Sequence, residues 1–165
     1  MEREYLTKIN LLKEAKEYEI IIDRVFDTYI EQVWNAWTKS EQITKWFNSA
    51  GLDIDVLEFN IRPEGRFRFT IPNPDSSKIL GEYTGTYITV QEPYELSFDV
   101  KDFSITKNPN GISASFKILF ETVGKQTLLR LIITLEYESY REITTTGWNQ
   151  SLENLDSYLE KQKLV

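Results

Sequence analysis

Two neighbouring segments in the second half of the chain alternate apolar and other side chains with a period of two. Their apolar members are Ile112, Ala114, Phe116, Ile118 and Phe120, then Leu129, Leu131, Ile133 and Leu135. Such alternation is typical of strands with one buried face. Gly124-Lys125 lies between them and is typical of a tight turn. The two segments therefore predict an antiparallel hairpin, because so short a connection reverses the chain.

The same period recurs in the first hundred residues. The apolar positions of these segments are Tyr18, Ile20, Ile22 and Phe26; Ile54, Val56 and Leu57; Phe67, Phe69 and Ile71; Tyr83, Gly85 and Tyr87; and Leu96, Phe98 and Val100. Turn-forming residues separate most of them, at 62–65, 72–77, 92–93 and 108–111. Consecutive strands with short turns predict an antiparallel sheet of about six or seven strands.

Two short helices are predicted after the first strand. Thr28-x-x-Glu31 and Thr38-x-x-Glu41 each have the spacing of a capping box, in which both side chains bind free backbone N–H groups of the first turn. Apolar residues follow each box at helical spacing: Val33, Trp34, Ala36 and Trp37, then Ile43, Trp46 and Phe47. The chain therefore changes from a strand to two helices before the sheet resumes.

A long amphipathic helix is predicted at the C-terminal end. Trp148, Leu152, Leu155 and Leu159 form one apolar stripe of such a helix. Together with the strands, this predicts an α+β fold whose helices lie on one face of an antiparallel sheet. Gly147 precedes the stripe, and two interpretations remain: a close approach to a neighbouring strand or plain flexibility.

The composition excludes several kinds of chemistry. The chain has no cysteine and no histidine, which removes disulfides, Cys/His metal sites, thiolate nucleophiles and imidazole catalysis. A carboxylate-only cation site would need a pattern such as Asp-x-Asp-x-Asp-Gly, which the sequence lacks. We therefore expect no catalytic residue, no metal and no cofactor.

The charge and the N-terminal sequence favour a cytoplasmic protein. The net charge of −7 disfavours nucleic acids and anionic membrane surfaces as partners. Residues 1–16 lack the apolar run of a signal peptide, and the chain has no apolar stretch of membrane-spanning length. We expect residues 1–16 to form an arm or short helix, and residues 17–165 to form the folded domain.

An ordered set of short motifs resembles a known family. The motifs are Val33-Trp34-Asn35-Ala36-Trp37-Thr38, Trp46-Phe47, Arg62-Pro63-Glu64-Gly65-Arg66-Phe67, Gly85-Thr86-Tyr87, then Pro93, Leu96 and Phe98, and Gly147-Trp148 at the start of the last helix. They resemble the START-like family of activator of heat-shock-protein-90 ATPase homologues, in the SRPBCC superfamily, over residues 17–163. The resemblance implies a helix-grip fold: a curved sheet around the C-terminal helix, with a deep apolar pocket. Where many relatives have two glycines in the first turn, this chain has Glu64-Gly65.

The candidate ligand-binding residues are the large side chains expected to face the sheet–helix interior. They are Trp37, Trp46, Phe67, Phe69, Tyr83, Tyr87, Phe98, Phe116, Trp148 and Leu152. They could line a cavity or form an ordinary core. Tyr83 and Tyr87 are the stronger ligand candidates, because a buried phenol needs a hydrogen-bond partner. Arg62, Arg66 and Arg68 could recognise an anion, although the alternation favours a solvated sheet face for the last two.

These observations lead to one functional hypothesis and two alternatives. The hypothesis is a non-catalytic module that binds a small apolar or amphipathic ligand inside the fold. The first alternative is a protein-interaction domain, either a homodimer or a partner of a chaperone; an exposed apolar patch would favour it. The second is an enzyme that uses a carboxylate with a raised pKa, and the sequence offers no specific candidate for one.

Overall fold

Seven strands form one antiparallel sheet in the order β1-β7-β6-β5-β4-β3-β2. The computed structural model describes residues 18–48, 51–104 and 108–164, so the arm or helix predicted for residues 1–16 lies outside the described residues. The strands are β1 (Glu19–Phe26), β2 (Asp55–Phe59), β3 (Arg66–Pro72), β4 (Ile79–Gln91), β5 (Glu95–Ser104), β6 (Asn108–Val123) and β7 (Gln126–Leu135). The α-helices are α1 (Ile30–Thr38), α2 (Ser40–Trp46) and α3 (Arg141–Gln162).

This arrangement confirms the predicted α+β helix-grip fold. The first and second strands in the sequence lie at opposite edges of the sheet, and the two short helices connect them. No helix among the described residues is both long and apolar enough to cross a membrane.

The sheet has a buried inner face and an outer face that meets solvent. Along β7 the buried positions are Thr127, Leu129, Leu131, Ile133 and Leu135, and they alternate with exposed or half-buried ones. The buried side chains of α3 are Ser151, Leu152, Leu155 and Leu159, and the three leucines belong to the same core as the inner face. The predicted apolar stripe therefore holds the C-terminal half of α3 in the fold.

Helix α3 begins earlier than the sequence indicated. Its first residue is Arg141, six residues or nearly two turns before the predicted start at Gly147-Trp148. The Arg141 side chain binds the Glu138 carboxylate and donates to the backbone oxygen of Glu19 at 2.9 Å. The β-branched residues of the first turns hide this start, because they are weak helix formers. Apart from its own helix, no atom lies within 4 Å of where a Cβ of Gly147 would lie, which excludes the close approach, one of the two interpretations of this glycine.

Both predicted capping boxes are wrong. The N-cap residues are Tyr29 and Lys39, and neither helix has a side-chain cap. Thr38 is the last residue of α1, and its hydroxyl donates to the backbone oxygen of Trp34 at 2.8 Å. Because Thr38 still belongs to the first helix, it cannot adopt the extended backbone that a cap requires.

Of the predicted turns, the one at 62–65 forms, whereas the one at 108–111 does not. In the 62–65 turn, the residue with positive φ is Glu64 (67°), not Gly65. Gly65 is required for another reason: a Cβ there would lie 2.1 Å from the backbone oxygen of Asn60. The turn predicted at 108–111 is wrong, since strand β6 already begins at Asn108.

Candidate functional site

Every predicted aromatic ligand-binding residue belongs to one connected set of ring contacts beneath α3. We call this set the inner aromatic cluster. Its members are Trp37, Trp46, Phe47, Phe59, Phe67, Phe69, Tyr83, Tyr87, Phe98, Phe116 and Trp148. The predicted Leu152 is fully buried one turn after Trp148 on α3. The sequence therefore identified the rings that the fold brings together.

Alternation along the strands puts four rings of the inner aromatic cluster on the inner face of the sheet. Phe67 and Phe69 on β3, Phe98 on β5 and Phe116 on β6 all face inward and are buried. Phe98 and Phe116 are directly paired across their strands and stack with ring planes 9° apart. These rings form an apolar floor across the middle of the sheet.

Two members of the cluster were not among the predicted site residues. Phe47 follows α2 and connects the helices to the sheet, with ring centroids 5.7 Å from Tyr83 and 5.7 Å from Trp148. Phe59 ends β2 and contacts Phe69 at 5.7 Å. A bulge between Val56 and Glu58 shifts the register of β2, so that Val56 pairs with Phe69 and Phe59 with Phe67. Phe59 therefore shares the inner face with Val56, although strict alternation would put the two residues on opposite faces. Phe47 could have been predicted from the sequence, because it adjoins Trp46 in the Trp46-Phe47 motif. Phe59 could not, because the bulge interrupts the alternation.

The indole of Trp37 has the least usual environment in the cluster. Only 3% of the residue is exposed, and its Nε1 has no hydrogen-bond partner among the described residues. Its ring stacks on Trp148, with centroids 5.8 Å apart and planes 11° apart. The neighbouring Trp46 is satisfied, since its Nε1 donates to the backbone oxygen of Ala36 at 2.9 Å. Trp148 is half-buried.

Tyr87 supplies a second polar atom to this interior. The residue is 4% exposed and packs against Phe59, Phe67 and Phe98. Burial raises the pKa of its phenol far above the ordinary value, because the phenolate would be poorly solvated. Tyr87 is therefore a neutral hydroxyl at physiological pH.

The buried phenol predicts a pH dependence of stability. Because the folded pKa of Tyr87 is raised, its contribution is full below the unfolded value near 10 and is lost as the pH rises above it. From pH 10 upward, the unfolding free energy of the parent should fall about 1.4 kcal/mol per pH unit faster than that of Tyr87→Phe. Urea denaturation at several pH values measures both. The exposed Tyr94→Phe is the matched control, and parallel curves for parent and Tyr87→Phe would contradict the assignment.

A cleft of about 460 Å³ separates α2 from β2. Phe59 and Ile54 form part of its lining, and Phe59 also belongs to the inner aromatic cluster. The lining also includes the acidic residues Glu41, Asp55 and Glu58. The cleft is therefore partly acidic and partly apolar.

A second groove, of about 530 Å³, crosses the opposite, outer face of the sheet. Its lining includes Arg66, Thr86 and Asp99, and the Ser115 hydroxyl donates to the Asp99 carboxylate at 2.7 Å. Beside the groove, Arg68 forms an ion pair with Glu82. Arg66 and Arg68 thus face solvent, as the alternation predicted.

Within the described ranges, no group of Asp and Glu residues is arranged to hold a metal ion.

The sheet, the long helix and the aromatic floor between them define a helix-grip protein of the SRPBCC superfamily. Residues 27–160 match the family model described as activator of Hsp90 ATPase homolog 1-like protein. The chain belongs to this family, which is generally a non-catalytic binding fold. A comparison with curated protein sequences found no match.

Solved structures of bacterial proteins show the same fold. A crystal structure from Chromobacterium violaceum has a TM-score of 0.74 at 20% identity, and the match covers 87% of this chain and 98% of that chain. A solution structure from Arthrobacter aurescens has a TM-score of 0.74 at 19% identity, covering 90% and 88%. One from Staphylococcus epidermidis has a TM-score of 0.70 at 26% identity, covering 88% and 91%.

Proposed function

We propose that the protein binds a small apolar or amphipathic molecule at the inner aromatic cluster and performs no chemistry on it. The observation that carries this proposal is the double position of Phe59. Its ring lines the cleft between α2 and β2 and packs on Phe69 and Tyr87 inside the fold. Phe59 therefore connects the lining of the cleft to the inner rings, and small-molecule sites in proteins are mostly apolar with a few polar groups.

The outer groove is the weaker site for such a ligand. Its lining is dominated by hydroxyl-bearing and charged side chains, and no ring of the inner aromatic cluster borders it. The lining of the cleft, in contrast, includes Phe59, whose ring also packs in the inner aromatic cluster. We therefore place the ligand at the cleft and the cluster.

Blocking each depression in turn tests the proposal. Thr44 lines the cleft and Thr86 lines the outer groove, so Thr44→Trp and Thr86→Trp form a matched pair. Binding of the neutral dye N-phenyl-1-naphthylamine, followed by its fluorescence, should weaken at least tenfold in Thr44→Trp and stay within twofold in Thr86→Trp. Native mass spectrometry of protein from its own host should show a displaceable small molecule. A parent protein that binds no dye, or equal effects of both variants, would overturn the proposal.

A protein-interaction domain is the second candidate, favoured by the family name and by the outer face of β1. Ile21 and Val25 are 54% and 50% exposed there, and they pair across the strands with Ile132 and Leu128. If this face binds another copy, light scattering should show a dimer that Ile21→Asp dissociates. If it binds the chaperone, the parent should stimulate the ATPase of purified heat-shock protein 90 and Ile21→Asp should not. A monomer without effect on the ATPase would reject this candidate.

A further inference from the structure

We propose that the Trp37 indole N–H is the polar anchor of the ligand site, and that the ligand is an uncharged molecule with a strong hydrogen-bond acceptor such as a carbonyl oxygen. This inference rests on the proposed binding function and specifies the chemistry of the same site. It assigns to Trp37 a role that its ring contacts alone do not require.

The argument begins with the unpartnered donor. The large majority of buried polar side-chain atoms in proteins have a hydrogen-bond partner, and Trp37 Nε1 has none among the described residues. An indole N–H can only donate, so its missing partner must be an acceptor. A carbonyl, ether or similar oxygen meets this requirement.

The comparison with Trp46 shows that the fold can satisfy a buried indole in this cluster. Trp46 lies against Trp37, with ring centroids 4.7 Å apart, and donates to a backbone oxygen. The two indoles therefore belong to the same cluster, but only the N–H of Trp46 has a hydrogen-bond acceptor among the described residues. The N–H without an acceptor belongs to Trp37, whose ring is stacked on the half-buried ring of Trp148.

The charges around the site favour an uncharged ligand. Among the residues whose burial the structure describes, the buried polar side chains are Thr70, Thr127, Ser151 and the phenol of Tyr87, which burial keeps neutral at physiological pH, and none of them carries a charge. A charged group beside Trp37 would lose its hydration without gaining a counter-ion. Anions would also meet the acidic residues Glu41, Asp55 and Glu58 in the lining of the cleft.

The test compares two molecules of nearly equal shape. In 2-acetylnaphthalene a ketone oxygen occupies the place of the terminal CH₂ in 2-isopropenylnaphthalene. Isothermal titration calorimetry should show that the parent binds the ketone at least tenfold more tightly than the hydrocarbon. The anion 2-naphthoate should bind more weakly than either.

Two variants locate the preference. Trp37→Phe removes the N–H and keeps an aromatic ring, so the ketone and the hydrocarbon should bind it within twofold of each other. Its binding of the hydrocarbon also shows that it is folded. Trp34→Phe is the control, because Trp34 is buried on the same helix but packs on Phe120 outside the cluster; it should keep the tenfold preference.

The outcomes separate this inference from the proposed function. A parent that binds neither naphthalene contradicts the function itself. A parent that binds both equally, or a Trp37→Phe variant that keeps the ketone preference, leaves the function standing and overturns the role of Trp37. If Trp37→Phe does not fold, the test uses the parent protein alone. Its affinity should rise from 2-isopropenylnaphthalene to 2-methoxynaphthalene to 2-acetylnaphthalene, as the hydrogen-bond acceptor becomes stronger. Equal affinities for the three molecules would contradict the role of Trp37 as a hydrogen-bond donor to the ligand.

Discussion

Replacing Trp46 with alanine should lower the free energy of unfolding by about 3–5 kcal/mol. Trp46 is 1% exposed, and its ring lies edge-on to Trp37 and to Phe47. The substitution removes both ring contacts and leaves a cavity where α2 meets the sheet. It also leaves the backbone oxygen of Ala36 without the indole donor at 2.9 Å, which adds the cost of an unpaired buried acceptor.

Chemical denaturation of the parent and of two variants measures this effect. Trp148→Ala is the control, because Trp148 is a half-buried member of the same cluster and should lose less stability than Trp46→Ala. A loss below about 1 kcal/mol for Trp46→Ala would mean that the site tolerates truncation as a surface position does. That result would contradict the packing of α2 against the aromatic cluster.

Gly85→Ala should destabilise the protein by about 3 kcal/mol, the upper end of the usual cost of overpacking. A Cβ at Gly85 would lie 2.2 Å from Cζ of Phe67 and 2.5 Å from the backbone oxygen of Asp99. The Phe67 ring would have to move, and it packs on Phe69, Tyr87 and Phe98. The backbone of β5 lies too close on the other side for the new methyl group to move that way. The substitution should therefore displace Phe67 and the rings packed on it.

Gly147→Ala is the matched control for Gly85→Ala. Gly147 is an exposed position inside α3 with open space around its would-be Cβ. Alanine there should stabilise the protein by about 0.5–1 kcal/mol, because glycine is a poor residue in the middle of a helix. Thermal denaturation should therefore shift the two variants in opposite directions. A neutral Gly85→Ala would show that Phe67 does not pack over that glycine.

Residue patterns predicted the sheet because most of its strands are seven residues or longer and alternate buried with exposed or half-buried positions. Strands β6 and β7 are the clearest case: from Phe116 to Phe120 and from Leu129 to Leu135 their alternating apolar positions are buried, and Gly124 takes the positive φ of the turn between them. The start of α3 was less visible. Its first turns contain no buried residue, and an anchor from Arg141 to the distant strand β1 fixes them; such long-range contacts leave no periodic signal.

The candidate site was predictable in its members but not in its chemistry. Alternation identified Phe67, Phe69 and Phe98, because a strand has only two faces. A bulge hid Phe59, since one extra residue reverses the parity of everything after it. The unpartnered N–H of Trp37 depends on the three-dimensional position of one atom relative to all its neighbours. No spacing rule contains that information.

The most direct test of the account is a titration of ¹⁵N-labelled protein with 2-acetylnaphthalene, followed through the four tryptophan indole N–H signals. Single Trp→Phe variants assign them. Binding at the inner aromatic cluster should shift the signals of Trp37 and Trp148, which stack on each other, and leave Trp34 nearly unchanged, because its ring packs on Phe120. Saturating ligand that leaves the Trp37 and Trp148 signals in place would contradict an internal binding site.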